Sequence, residues 1–200
     1  MKTKLSKIFS LDENNILYIF SYGSRVYGTY SEVSDYDYII VCKDNSIENQ
    51  YAVHNGIYQA NIYQESLFDK NVLDHKPYAI ECMYLSDQFV HANQYTNFKI
   101  NLQKLRSAFS EKANHSWVKA KKKFEIENDF LIAKKSIFHS LRIIDFGIQL
   151  AENNKINYSN SNYLWDEIKY APNDWNYYNS KYKLFFNSQM SKFRSLAPIK

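Results

Sequence analysis

Residues 20–41 read FSYGSRVYGTYSEVSDYDYIIV. An apolar and aromatic run, Ile16 to Tyr22, enters this stretch and stops at Gly23-Ser24, and a second run, Asp35 to Val41, leaves it. The first is short, apolar and closed by a turn pair, which predicts a buried strand. The second alternates acid with tyrosine and then becomes wholly apolar. A strand does this when its N-terminal end reaches a cleft and its remainder is covered on both faces. Residues i and i+2 of a strand point to one face, so Asp35 and Asp37 project together with Cα atoms about 7 Å apart. Two carboxylates at that spacing suit a hard divalent cation such as Mg²⁺ or Mn²⁺, which takes oxygen ligands and commonly binds through one or two carboxylates plus substrate phosphates. The Gly23-Ser24 turn complements them with a backbone that phosphates can approach closely, exposed amide donors and a hydroxyl. Singly, each piece is as much the mark of a solvated strand edge or an ordinary turn. Together, in this order and ten residues apart (25 to 34), they point to phosphate chemistry.

Outward from this stretch, Tyr51 to His54 and Ile57 to Gln64 flank Asn55-Gly56, a strong hairpin signal, and predict a third and fourth strand. From Glu65 the period lengthens. Leu67, Phe68, Val72 and Leu73, then Ile80, Met83 and Tyr84, predict two short helices, with Pro77 near the start of the second. Beyond Asn97 the pattern is helical: Leu102 to about Asn128, Phe130 to Asn153, and Tyr177 to Leu196, with Pro172 and Pro198 bounding the last. The expected fold is α/β in the α+β sense. A small mixed sheet occupies residues 1–97 and a helical region residues 98–200.

Composition narrows the class. Across 200 residues there are only 4 Gly and 3 Pro against 18 Tyr and 13 Phe, which excludes linker-like, collagenous and disordered chains. No apolar run approaches the roughly 18 residues of a membrane span, and the N-terminus is charged before any leader core forms, so an intracellular, cytoplasmic protein with no membrane partner is expected. Cys42 and Cys82 stand apart from any metal-ligand spacing and are expected to be buried thiols. Residues 1–100 carry 8 basic and 12 acidic side chains, and residues 101–200 carry 17 and 9, so the halves hold −4 and +8. The basic half either meets an anion or is a solvated surface.

On YGSRVYGT followed by SDYD, the chain resembles the polymerase-beta superfamily of nucleotidyltransferases. More narrowly it resembles the predicted nucleotidyltransferases associated with RNA repair, in which an Arg follows the Gly-Ser and a Ser precedes the first Asp. KPYAIECMYL (76–85) is similar to that family's helix carrying a Glu, which maps to Glu81, and KKSIFHSLRIIDFGIQL (134–150) to its helix with a His and an Arg three residues apart, mapping to His139 and Arg142. NYSNSNYLWDEI (157–168) continues the match more loosely.

The resemblance implies a nucleotidyltransferase core in which Asp35 and Asp37 are catalytic and hold Mg²⁺ or Mn²⁺. A nucleoside triphosphate would meet Gly23, Ser24, Arg25 and Ser34, an acceptor hydroxyl would attack its α-phosphorus, and pyrophosphate would leave. Lys135, His139 and Arg142, at i, i+4 and i+7, form one helical stripe that the likeness assigns to the triphosphate or to an acceptor nucleic acid, such as an RNA end. A polar helix face is the plainer account of the stripe. Lys119 to Lys123 (KAKKK) is likewise either a guide for RNA phosphates or a solvated face.

The superfamily has a third carboxylate on a later strand. In IYQANIYQ its place falls on Asn61, whose amide can ligate a metal through oxygen but is a very poor base. Three possibilities result. Glu65 serves instead as third ligand or base, two Asp suffice, or the chain is a nucleotide- or RNA-binding pseudoenzyme. Nucleotidyl transfer to a protein side chain is a further alternative.

Overall fold

The computed structural model describes residues 1–92, 95 and 98–198. The chain divides into two compact units, Met1–Lys99 and Ile100–Lys200. The boundary expected after Asn97 falls on a residue outside those described. The fold is α+β, with a mixed sheet in the first unit and helices throughout the second.

The first unit runs α1 (Lys2–Phe9), β1 (Ile16–Tyr22), α2 (Ser24–Tyr27), β2 (Tyr36–Cys42), β3 (Gln50–Asn55), β4 (Tyr58–Gln64), α3 (Glu65–Leu73), α4 (Pro77–Met83) and β5 (Val90–His91). The sheet order is β3-β4-β2-β1-β5. Strand β2 is central, antiparallel to β1 and parallel to β4, while β3 and β4 form the antiparallel hairpin. Alternation along β2 sorts the core. Ile39 and Val41, with Tyr18 and Phe20 of β1 and Tyr63 of β4, pack against Phe68 and Val72 of α3 and Ala79 and Cys82 of α4. Ile40 and Cys42, on the other face with Ile19 and Ile62, pack against Leu5 and Phe9 of α1. Each such apolar side chain contributes about 1.5–3 kcal/mol by leaving water.

Among the elements that periodicity did not reveal are α1 and β5. MKTKLSKIF is charged and short, yet Leu5 and Phe9 stand one turn apart and close a sheet face. Strand β5 has two residues, too few to show any period. Both cysteines are buried free thiols, and burial pushes Cys42 up to about 11.

The second unit contains α5 (Leu102–Glu125), α6 (Phe130–Asn153), α7 (Asn162–Tyr170) and α8 (Trp175–Leu196). Asn101, Asp129 and Asp174 cap α5, α6 and α8 by accepting from the amides of Lys104, Ile132 and Asn176, each cap contributing about 0.5–2 kcal/mol. Helix α5 stops short of the expected Asn128, whose backbone is left-handed at φ 53°. Helix α6 is the core element of this unit. At Gly147 it approaches α8 so closely that a Cβ would lie 2.7 Å from the Phe193 ring. Trp175 and Tyr178 are buried against Trp117 and Phe124. None of the helices among the described residues is long and apolar enough to cross a membrane.

Candidate active site

The register of the ladders sets out the site row by row. Asp37 is the Cα partner of Tyr22 on β1 and of Gln59 on β4, and Gln59 is the partner of His54 on β3. His54, Gln59, Asp37 and Tyr22 therefore stand side by side across the sheet on one face. The next row on that face holds Ala52, Asn61, Ile39 and Phe20. Ile39 and Phe20 already belong to the core under α3 and α4. The row of Asp37 lies at the strand ends beyond them. A cleft of about 330 Å³ opens there, lined among others by Tyr22, Gly23, Asp37, His54, Gln59 and Asn61, within the usual size of small-molecule sites. A larger cavity of about 510 Å³ at the other end of the strands, lined by residues such as Asp12, Cys42 and Glu48, contains neither the Gly-Ser turn nor the acid pair.

Gly23 and Asp37 are joined by contact. Gly23 has φ 75° and ψ −158°, and a Cβ built on it would lie 2.0 Å from Asp37 Oδ2 and 2.7 Å from its Cγ. The Asp37 carboxyl thus lies against the bare Cα of the turn, a place that only glycine leaves open. Asp35 precedes β2, and the amide of Gln59 donates to its Oδ2 at 2.5 Å. Since Gln59 is also the ladder neighbour of Asp37, both carboxylates flank a single side chain. Gly23 and Asp37 are thus in contact, and Asp35 is linked to the same row through Gln59.

Arg25 and Ser34 organise the backbone that leads into Asp35. The Arg25 guanidinium donates from Nη2 to the Ser34 carbonyl at 2.7 Å and from Nε to the Asp35 carbonyl at 3.2 Å. It lies over the Tyr36 ring at 3.8 Å from the centroid, with Tyr58 stacked on Tyr36. Tyr36 alternates with Asp37 and faces away from the cleft, so Arg25 ties α2 to the segment leading into Asp35. A rigid fork of donors suits two successive carbonyls as well as a phosphate. The Ser34 hydroxyl accepts from the Ser31 amide at 2.8 Å and closes a local turn. We expect Arg25→Ala to lower stability by about 1–3 kcal/mol, the range for hydrogen bonds from a charged donor, seen as a reduced urea midpoint.

Two amide side chains of β4 stand on the face of Asp37. Asn61 stands beside Ile39, one row deeper than Asp37, and Gln59 stands beside Asp37 itself. Glu65 begins α3, after Gln64 has paired with Cys42 at the opposite end of β2, about 20 Å along the strand from the Asp37 row. There it accepts from the Tyr18 hydroxyl at 3.3 Å, and burial, followed by the Glu65 charge, pushes that phenol up to about 12. Glu65 is not a third ligand at this cleft. Among the described residues no group of three or more His, Cys, Asp or Glu is placed to hold a metal ion. The donors that remain, two carboxylates and amide oxygens, are hard oxygen ligands of the kind Mg²⁺ takes.

Lys135, His139 and Arg142 lie on α6 in the second unit. Their stripe is uneven. Lys135 is exposed, His139 half-buried, and Arg142 only 6% exposed. Arg142 packs against the rings of Phe138 and Phe146, with Nη2 3.1 Å from His139 Nδ1. Burial first, then the charges of Arg142, Lys112 and Lys119, holds His139 well below the ordinary imidazole range, so the ring is neutral at pH 7. The lysine run is largely occupied by its own acids. Lys121 pairs with Glu125, Lys122 with Glu127, and Lys123 with Glu127 and Asp129.

Gln59 and His54 line the cleft and went unnoticed in the sequence, since neither has a motif of its own. Their place emerges from the hairpin signal only after β4 is set in register with β2.

No family model matches the chain, and no curated protein matches it. Among solved structures it is similar to a nucleotidyltransferase-like protein from Exiguobacterium sibiricum 255-15, at 13% identity over 98% of this chain and 74% of the other, with a TM-score of 0.34. A likeness of that degree says nothing about substrate, metal or acceptor.

Proposed function

We propose that the protein transfers a nucleoside monophosphate from a nucleoside triphosphate to an acceptor hydroxyl, such as that of an RNA end, with release of pyrophosphate. The observation that carries this function is the contact of the Asp37 carboxyl with the Cα of Gly23. Gly23 and Asp37 line the same cleft, and the Gln59 side chain that also lines it donates to Asp35. Asp35 and Asp37 would hold the divalent cation, and the Gly23 and Ser24 amides and the Ser24 hydroxyl would receive the outer phosphates. A bound Mg²⁺ or Mn²⁺ neutralises phosphate charge and lowers the pKa of the attacking hydroxyl. Most of what the chain itself supplies is positioning. Gln59 holds Asp35 from the neighbouring strand, and Arg25 fixes the backbone at Ser34 and Asp35.

A second function has its own observation. Gln59 and Asn61 stand where a third carboxylate would take the acceptor's proton, and amides do not do so. On that ground the chain would bind the triphosphate without turning it over.

The test is incubation with each α-labelled triphosphate, Mg²⁺ or Mn²⁺, and pools of RNA, DNA and protein. Label on RNA supports the first function, label on a protein redirects it to protein nucleotidylation, and triphosphate binding without transfer supports the second. Asp35→Asn and Asp37→Asn are each expected to lower transfer by about 10²-fold or more, the usual scale for removing a positioned electrostatic group. Full transfer by both variants would remove the acid pair from the mechanism.

A further inference from the structure

Glu81 is a carboxylate in the middle of an apolar helix. It sits on α4 between Ile80 and Cys82, and all three side chains are buried, with Glu81 1% exposed. A carboxylate is retained in such a place only where donors compensate its lost hydration. Two tyrosines donate to it. The Tyr27 hydroxyl donates to Oε2 at 2.6 Å, and the Tyr22 hydroxyl to Oε1 at 3.5 Å. The two tyrosines also pack edge to face, with centroids 5.8 Å apart.

The positions of these tyrosines in the chain give the contact its meaning. Tyr22 is the last residue of β1, directly before Gly23, and Tyr27 is the last residue of α2, which Ser24 begins. They bracket the Gly23-Ser24 turn, and α4 holds both ends of the bracket through one carboxylate. The turn has little room to shift, because Gly23 already touches the Asp37 carboxyl. An anchor at each end is what that tolerance requires.

We propose that Glu81 is a positioning residue for the Gly23-Ser24 turn, acting through the hydroxyls of Tyr22 and Tyr27 to set the geometry in which the turn receives a triphosphate. The anchoring stands on the hydrogen bonds alone, and its consequence for triphosphate rests on the proposed nucleotidyl function. Among the described residues, Glu81 is not one that lines the cleft.

The test compares Glu81→Gln and Tyr27→Phe with Tyr18→Phe, which removes a similar tyrosine–carboxylate bond to Glu65 elsewhere in the same unit. Amide hydrogen exchange over residues 23–28 is measured in the full chain, together with KM and kcat for the labelled triphosphate. We expect both anchor variants to speed exchange over this segment about tenfold and raise KM by a similar factor with a smaller change in kcat, the pattern of lost uniform binding. Tyr18→Phe should leave both readouts at the wild-type value. Should Glu81→Gln fail to fold, Tyr27→Phe, which deletes one hydroxyl, carries the test. Unchanged exchange and KM in the anchor variants, or equal changes in Tyr18→Phe, would overturn the proposal. Faster exchange in a protein whose wild type neither binds nor transfers triphosphate would support the anchor and overturn the nucleotidyl function.

Discussion

Gly23→Ala is expected to reduce nucleotidyl transfer by about 10²-fold or more, the scale of an ångström-sized misplacement at a reacting centre. Two effects act in the same direction. The backbone at Gly23 has φ 75° and ψ −158°, a region essentially confined to glycine that costs another residue about 1–3 kcal/mol. In addition, the new methyl would lie 2.0 Å from Asp37 Oδ2 and 2.9 Å from Asp37 Cβ. The aspartate is too short to swing clear by its tip alone, so either the carboxyl leaves the cleft or β2 moves away from the turn. The variant should melt several degrees lower and transfer label no better than Asp37→Asn. The double variant Gly23→Ala with Asp37→Gly relieves the collision but not the backbone strain, and should recover only the collision's part of the lost stability without recovering transfer, which separates the steric effect from loss of the carboxylate.

Asn61→Asp is expected to raise transfer by about 10²-fold, the lower end of what a positioned general base contributes. Asn61 is exposed and lines the same cleft as Asp37, so the substitution removes no packing. It adds a third negative charge near two others. Without cation the variant should therefore be slightly less stable than wild type, and Mg²⁺ should raise its melting temperature more than that of wild type. The label-transfer assay, run with and without Mg²⁺, checks both halves. A variant that gains Mg²⁺ stabilisation and no transfer would show that the missing proton acceptor is not what limits the chain.

Much of the first unit was legible because its strands announce themselves independently. Ile16 to Tyr22 stops at a turn pair, and Asn55-Gly56 lies between two alternating runs. The observed β1, β3 and β4 match these signals closely. Helix α6 runs from Phe130 to Asn153 as its apolar spacing predicts. The roles of polar side chains were less legible, because a donor's partner depends on register and closure. Arg25 beside a Gly-Ser pair looks like a phosphate ligand until the loop folds back and presents two carbonyls to it. The parallel pairing sets Asn61 beside Ile39 and Gln59 beside Asp37, so two amides stand near the acid pair where the sequence pointed to one. Glu81 was noticed only through a family likeness. Nothing in KPYAIECMYL indicates that its carboxylate would meet tyrosines 59 and 54 residues away.

The hold of Arg25 on the carbonyls of Ser34 and Asp35 also determines which parts of the motif are free to vary. Because the segment returning to the acid pair is fastened at its far end to the same short helix that begins at Ser24, the intervening residues form a loop pinned at both ends. Its contour between Gly28 and Ser31 can lengthen, shorten or change composition while the distance from turn to carboxylates stays the same, and loop closure costs grow only slowly with length. The ten-residue interval is therefore a soft feature of the motif. The hard features are one glycine without a side chain, one arginine with two nitrogens on the returning backbone, and the carboxyl that rests on the glycine.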